Sequence, residues 1–134
     1  MTIEEIEKEL PNGFHDAVLT KIAIDYEKRK IMLEIEVNIS KSDLPDEVCR
    51  EASRAGRLTL SGLLFCVIES PDPQYRFHET KNLWISDSGS VKSLKIPARL
   101  PTILPNGAFV HYFFVNDWNA FIYLAAMDAL FEWS

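Results

Sequence analysis

Between Ile31 and Ile39 every second residue is apolar (Ile31, Leu33, Ile35, Val37, Ile39), and the positions between them are Met32, Glu34, Glu36 and Asn38. A period of two gives an extended chain one dry face and one mostly wet face, whereas a helix would scatter the same residues around its circumference. The preceding arm sets Ile22, Ile24 and Tyr26 on one face, and Glu27-Lys28-Arg29-Lys30 supplies a solvated connection. The two arms predict a β-hairpin.

Other segments follow the same logic. Thr2-Ile3-Glu4-Glu5 has the capping-box pattern and leads into Ile3, Ile6 and Leu10 at helical spacing, so a short N-terminal helix is expected, stopped by Pro11-Asn12-Gly13. From Lys41 to Gly56 the chain is polar, and it reads as mostly irregular. Arg57 to Ile68 is apolar on both faces and predicts one central strand, with a bulge or close backbone approach at Ser61-Gly62. Leu83-Trp84-Ile85 reads as a short strand and Ser86-Asp87-Ser88-Gly89-Ser90 as a turn. Phe109 to Val115 predicts a strand, Asn116 to Asn119 a tight turn, and Phe121 to Leu124 a second strand. Over 120–133 strand competes with helix, because Ala125, Ala126, Met127, Ala129 and Leu130 are good helix formers with Asn116 or Asp117 available as a cap.

The fold class expected from these segments is mainly β: an antiparallel sandwich or partly open barrel with a short N-terminal helix. A chain of 134 residues with 47% hydrophobic residues has the size of a single domain, residues 1–134. Fourteen Lys and Arg against twenty Asp and Glu leave a net charge of −6. That balance repels a nucleic-acid backbone, which draws its affinity from clustered cations, and it favours a basic protein partner instead. No apolar run approaches the ~20 residues of a membrane helix. The opening Met1-Thr2-Ile3-Glu4-Glu5 is acidic where a secretory signal is basic and then apolar, so a cytoplasmic location without membrane contact is expected. In that compartment Cys49 and Cys66 read as free thiols.

Candidate chemistry is sparse. The histidines fall in His15-Asp16, in His78-Glu79, and at His111 among Phe109, Tyr112 and Phe113. None has the spacing that lets one element present two metal ligands, so no metal or other cofactor is expected. The alternative to be weighed is a metal- or small-ligand-dependent enzyme using His15, Asp16 and His78. Ser88 lies in the Asp87-Ser88-Gly89 turn without a nucleophile-elbow motif, and neither cysteine carries the flanking residues of a thiol enzyme. Aromatic residues crowd the stretch from Phe109 to Trp133 beyond what one face needs. Tyr112, Phe114 and Trp118 are therefore candidates for a partner surface or for a homodimer contact.

The opening Pro11-Asn12-Gly13-Phe14-His15-Asp16-Ala17, followed by Leu19, Ile22 and Ile24-Asp25-Tyr26 and a second alternating strand, resembles a recurrent bacterial pattern. It looks like a family of small uncharacterised proteins with an F-H-D-A start, and it is similar to the opening of some immunity proteins of polymorphic toxin systems. Phe114-Val115-Asn116-Asp117-Trp118-Asn119 resembles the uncharacterised members. The resemblance implies a single-domain, non-enzymatic protein that acts by capping a toxin, and it transfers no catalytic residue. The function expected is thus protein binding, with immunity-like inhibition of a toxin as its concrete form and His15, Asp16, Tyr112, Phe114 and Trp118 as candidate binding residues.

Overall fold

The computed structural model describes residues 1–40, 52–79, 83–94 and 99–134. The first element, α1 (Ile3–Glu9), starts as its capping box requires: Thr2 Oγ1 accepts from the Glu5 amide at 3.1 Å, and the Glu5 carboxylate accepts from the Thr2 amide at 3.5 Å. Its apolar stripe of Ile3 and Ile6, continued by Leu10, is buried. Pro11 follows and cannot extend the helical ladder.

Among the described residues eight strands form one antiparallel sheet: β1 (Ala17–Asp25), β2 (Lys30–Asn38), β3 (Ser53–Ser61), β4 (Phe65–Ile68), β5 (Leu83–Ser90), β6 (Phe109–Val115), β7 (Ala120–Ala126) and β8 (Asp128–Trp133). Their spatial order is β4-β7-β6-β5-β1-β2-β3-β8. The β1–β2 hairpin is the one read from the alternation, turning at Arg29, whose φ is 51°, with the Lys28 amide bonded to Asp25 Oδ1. A shift of register between Leu19 and Lys21 lets the Thr20 hydroxyl reach the Glu34 carbonyl. Ile31, Leu33, Ile35 and Val37 face the core, and Glu36 faces solvent.

Three sequence expectations are corrected. Arg57 to Ile68 is two strands rather than one, because Gly62 takes φ +62° and re-aims the chain: β3 pairs with β2 and β8, β4 with β7. A side chain at Gly62 would press on Met127, so the close approach expected there exists, at a break rather than a bulge. Residues 53–56, expected to be irregular, belong to β3, where Ser53 pairs with Asn38 and Gly56 with Ile35. The rest of that polar stretch, 41–51 with Cys49, lies outside the described residues. Ser86 to Ser90 is not a turn: β5 continues through it after a register shift between Ile85 and Asp87, pairing Asp87 with Phe114 and Gly89 with Tyr112. Residues 120–133 are extended, as the alternation favours, and divide at Met127 into β7 and β8.

The ends of the sheet are joined by the chain itself. β3 runs into β4 through Gly62–Leu64 and β7 into β8 through Met127, with the Met127 amide donating to the Ser61 carbonyl and the Leu64 amide to the Ala125 carbonyl. The sheet therefore rolls into a partly open barrel whose inner face holds one connected cluster, from Leu19, Ile31 and Leu58 to Phe113, Ile122 and Leu124. Helix α1 lies against β6 and β8 and adds Ile3 and Ile6 to that cluster. Among the described residues no helix is long and apolar enough to cross a membrane.

Candidate functional site

The F-H-D-A segment divides by the direction its side chains take. Phe14 and Ala17 are fully buried, Phe14 edge-on to Phe113 and Phe131 with ring centroids 5.7 and 5.9 Å away. His15 and Asp16 turn outward, with His15 Nε2 3.6 Å from Asp16 Oδ2. Asp16 holds φ at 62°, a left-handed conformation that Asp tolerates better than most residues, and its amide donates to the Ile85 carbonyl at 2.8 Å. This places its carboxylate against the start of β5.

Trp84 sits there. Its indole Nε1 donates to Asp16 Oδ1 at 2.9 Å, its amide donates to Asp117 Oδ2 at 2.9 Å, and its carbonyl accepts from the Asn116 amide at 2.9 Å. The two sequence segments singled out above, Phe14–Ala17 and Phe114–Asn119, thus converge on one tryptophan. Trp84 nevertheless leaves 40% of its surface in solvent. A large side chain fixed at both backbone and ring yet uncovered has lost its conformational entropy in advance, which is the condition of an interface anchor.

Beside it lies an open groove of about 430 Å³ lined by Asp16, Val18, Glu36, Asn38 and Trp84, with Ala52 and Ser53 at its far side. Register explains the set: Trp84 pairs with Val18, Val18 with Glu36, and Glu36 with Ala55, so these side chains form one row across the outer faces of β5, β1, β2 and β3. In the sequence Trp84 stands out only as part of a short strand. Its role depends on Asp16 and Asp117, 68 and 33 residues away along the chain.

The aromatic candidates separate. Tyr112 and Phe114 share the outer face of β6 and join Phe121 and Tyr123 of β7 in a ring cluster, with Phe121 5.7 Å from Tyr112 and 5.0 Å from Phe114. Tyr112 is buried, its hydroxyl donating to Asp87 Oδ2 at 3.0 Å, and Phe114 is half-buried. Trp118 lies in the β6–β7 turn and packs against the core, away from that pair's face.

A third cluster was not anticipated as a unit. Glu7 of α1, Ser88 of β5 and His111 of β6 meet under the helix: Ser88 Oγ is 2.7 Å from His111 Nε2, donates to Glu7 Oε1 at 2.7 Å, and Glu7 Oε1 is 2.7 Å from His111 Nε2. The residue types are those of a hydrolytic triad, but the geometry is not. A triad places the acid on the imidazole nitrogen remote from the nucleophile, so that the near nitrogen is free to take the hydroxyl proton. Here carboxylate and hydroxyl share Nε2, and the Ser88 proton is already given to Glu7. Burial pushes the Glu7 carboxyl upward, and hydrogen bonds from His111, Ser88 and the Phe14 amide outweigh it, so its pKa lies below the ordinary value. The cluster fastens the helix to the sheet.

His78 is exposed next to Glu79, 3.9 Å away, and packs edge-on to Phe77. Among the described residues no group of three or more His, Cys, Asp or Glu side chains is placed to hold a metal ion.

No protein-family model and no curated protein matches the sequence. Among solved structures, the chain is similar to the crystal structure of an uncharacterized protein from Neisseria gonorrhoeae, with a TM-score of 0.52 and 14% identity over 89% of this chain and 92% of that one. A likeness at that identity is one of fold.

Proposed function

We propose that this protein is a non-enzymatic, protein-binding domain of the bacterial cytoplasm, that it acts as an immunity-like inhibitor of a toxin, and that it docks a basic protein partner on the face carrying Trp84. The observation that carries this reading is the clamping of an exposed tryptophan by Asp16, Asn116 and Asp117. Stability alone does not call for it, since a tryptophan held for packing is ordinarily covered. The acidic balance of −6 and the carboxylates of Asp16 and Glu36 beside the ring suit a partner of opposite charge. His15 borders the same face, adjacent to Asp16.

The test is binding, by calorimetry, between this protein and a basic toxin-like protein encoded beside it in its own genome. Trp84→Ala is expected to weaken the complex by about 2 kcal/mol or more, the scale of an interface hot spot, while circular dichroism stays unchanged. A genome with no toxin-like neighbour, or a Trp84→Ala variant that binds as tightly as the parent, overturns the reading.

A further inference from the structure

We infer that the groove between Trp84 and Glu36 receives a single cation, the guanidinium of an arginine side chain presented by the docking partner; this rests on the Trp84 face being the docking surface. Trp84, Val18 and Glu36 occupy successive strands of one row. Neighbouring strands lie ~4.8 Å apart, so the indole and the Glu36 side chain rise from backbones about 10 Å apart. Val18, small and half-buried, floors the gap between them.

The walls of that gap are of one electrical sign. The indole Nε1–H, the ring's positive edge, is consumed by Asp16 Oδ1, which leaves the electron-rich face as the surface Trp84 offers. Asp16 Oδ2 has His15 as its neighbour, at 3.6 Å. Glu36 is exposed, and among the described residues no lysine or arginine lies within ion-pair distance of Glu36 or Asp16. Glu34, one register step away on the same outer face, differs: Arg57 stands 3.3 Å from it and neutralises it. Among the described residues, charge is balanced next to the groove and unbalanced inside it.

A cation above a ring face is bound within ~6 Å of the centroid, and with backbones about 10 Å apart one planar group can touch the ring on one side and a flexible Glu36 carboxylate on the other. Arginine meets both demands. Its guanidinium stacks on an aromatic face and presents paired N–H donors to a carboxylate, whereas a lysine ammonium is a strongly hydrated point charge that does neither as well.

The experiment follows the Trp84 indole N–H resonance of the ¹⁵N-labelled full chain, assigned by its loss in Trp84→Phe, while capped Gly-Arg-Gly, Gly-Lys-Gly, Gly-citrulline-Gly and Gly-Leu-Gly peptides are added. The arginine peptide is expected to move the Trp84 resonance saturably in the millimolar range, the lysine peptide several-fold more weakly, and the citrulline peptide, of like shape without charge, not at all. Glu36→Gln, a change on the solvent face, is expected to weaken the arginine response several-fold, and raised salt to do the same. Equal responses to arginine and citrulline, or no response to arginine, overturn the inference. A response to the leucine peptide without one to arginine also overturns it while leaving Trp84 as the docking residue, whereas unimpaired partner binding by Trp84→Ala removes the docking surface itself.

Discussion

Glu7 Oε1 and His111 Nε2 stand 2.7 Å apart, one on the N-terminal helix and the other on the inner side of β6, where His111 keeps only 2% of its surface exposed. With the Ser88 hydroxyl bonded to the same carboxylate oxygen, Glu7 ties two polar groups of the sheet to the helix, and without it the pair has one donor too many for the partners left under the helix. Glu7→Ala is expected to destabilise the protein by about 2–3 kcal/mol in urea denaturation, the scale of leaving buried donors unpaired. Loss of less than about 0.5 kcal/mol, the size of an ordinary surface substitution, would show that the cluster does not hold the helix.

The same contact gives the protein an acid dependence of known sign. Glu7 has a folded-state pKa below its ordinary 4.5, so near and below that pH the unfolded chain binds more protons than the folded one. Its contribution to stability is complete above the unfolded value and is lost as pH falls through the folded one. The stability gap between the parent and Glu7→Gln is therefore expected to be constant above pH 5 or so and to shrink as the pH is lowered further. A gap that widens toward acid contradicts this assignment.

Asp16 carries backbone strain and an indole contact together. Asn shares its tolerance of positive φ and retains an acceptor for Trp84, Gly relieves the strain but drops the acceptor, and Ala drops both. The expected order of stability in urea denaturation is parent and Asp16→Asn highest, then Asp16→Gly, with Asp16→Ala lowest by about 1–3 kcal/mol relative to the parent. An alanine variant as stable as the glycine variant would mean that the left-handed conformation costs nothing.

Gly56 leaves space that Phe131 fills. A Cβ built there would lie 2.3 Å from the Phe131 ring, and Phe131 in turn packs on Phe14. Gly56→Ala is expected to cost about 1–3 kcal/mol through overpacking. In a Phe131→Leu background the same substitution is expected to cost less, and the difference measures the coupling. Equal costs in the two backgrounds would place the strain elsewhere.

Burial pushes the Cys66 thiol from 9.0 up to about 11. At pH 8 its thiolate fraction is then about a hundredfold below that of an unperturbed cysteine, since the thiolate is the reactive form. In a Cys49→Ser background, modification by a disulfide reagent is expected to be slow at pH 8 and to accelerate steadily up to pH 11. Rapid labelling at neutral pH would refute the burial argument.

Legibility in the sequence followed the range of the interactions. The β1–β2 hairpin was readable because its period of two runs over five apolar positions, and the helix because its capping box is written within four residues. Ser86 to Ser90 misled because Ser, Asp and Gly favour turns locally, while their strand state comes from pairing with β6, where a Cβ built on Gly89 would lie 3.3 Å from the Tyr112 ring. Gly62 was correctly seen as a special position, but whether a glycine bulges a strand or ends it depends on where the next partner stands in space. His15 and Asp16 were visible as an adjacent imidazole and carboxylate, but not the direction they take. Trp84 was not, since nothing beside it in the chain reveals that a distant carboxylate leaves its ring uncovered.

The bend at Gly62 and the break at Met127 also decide what covers the sheet. Ser61 meets Asp128 at the corner where the roll shuts, so β3 finds its second neighbour only in β8, a strand distant from it in the chain. Without that strand the edge of β3 is an open template for stray pairing. A substitution that keeps β8 from docking is therefore expected to expose a sticky edge as well as to lower stability.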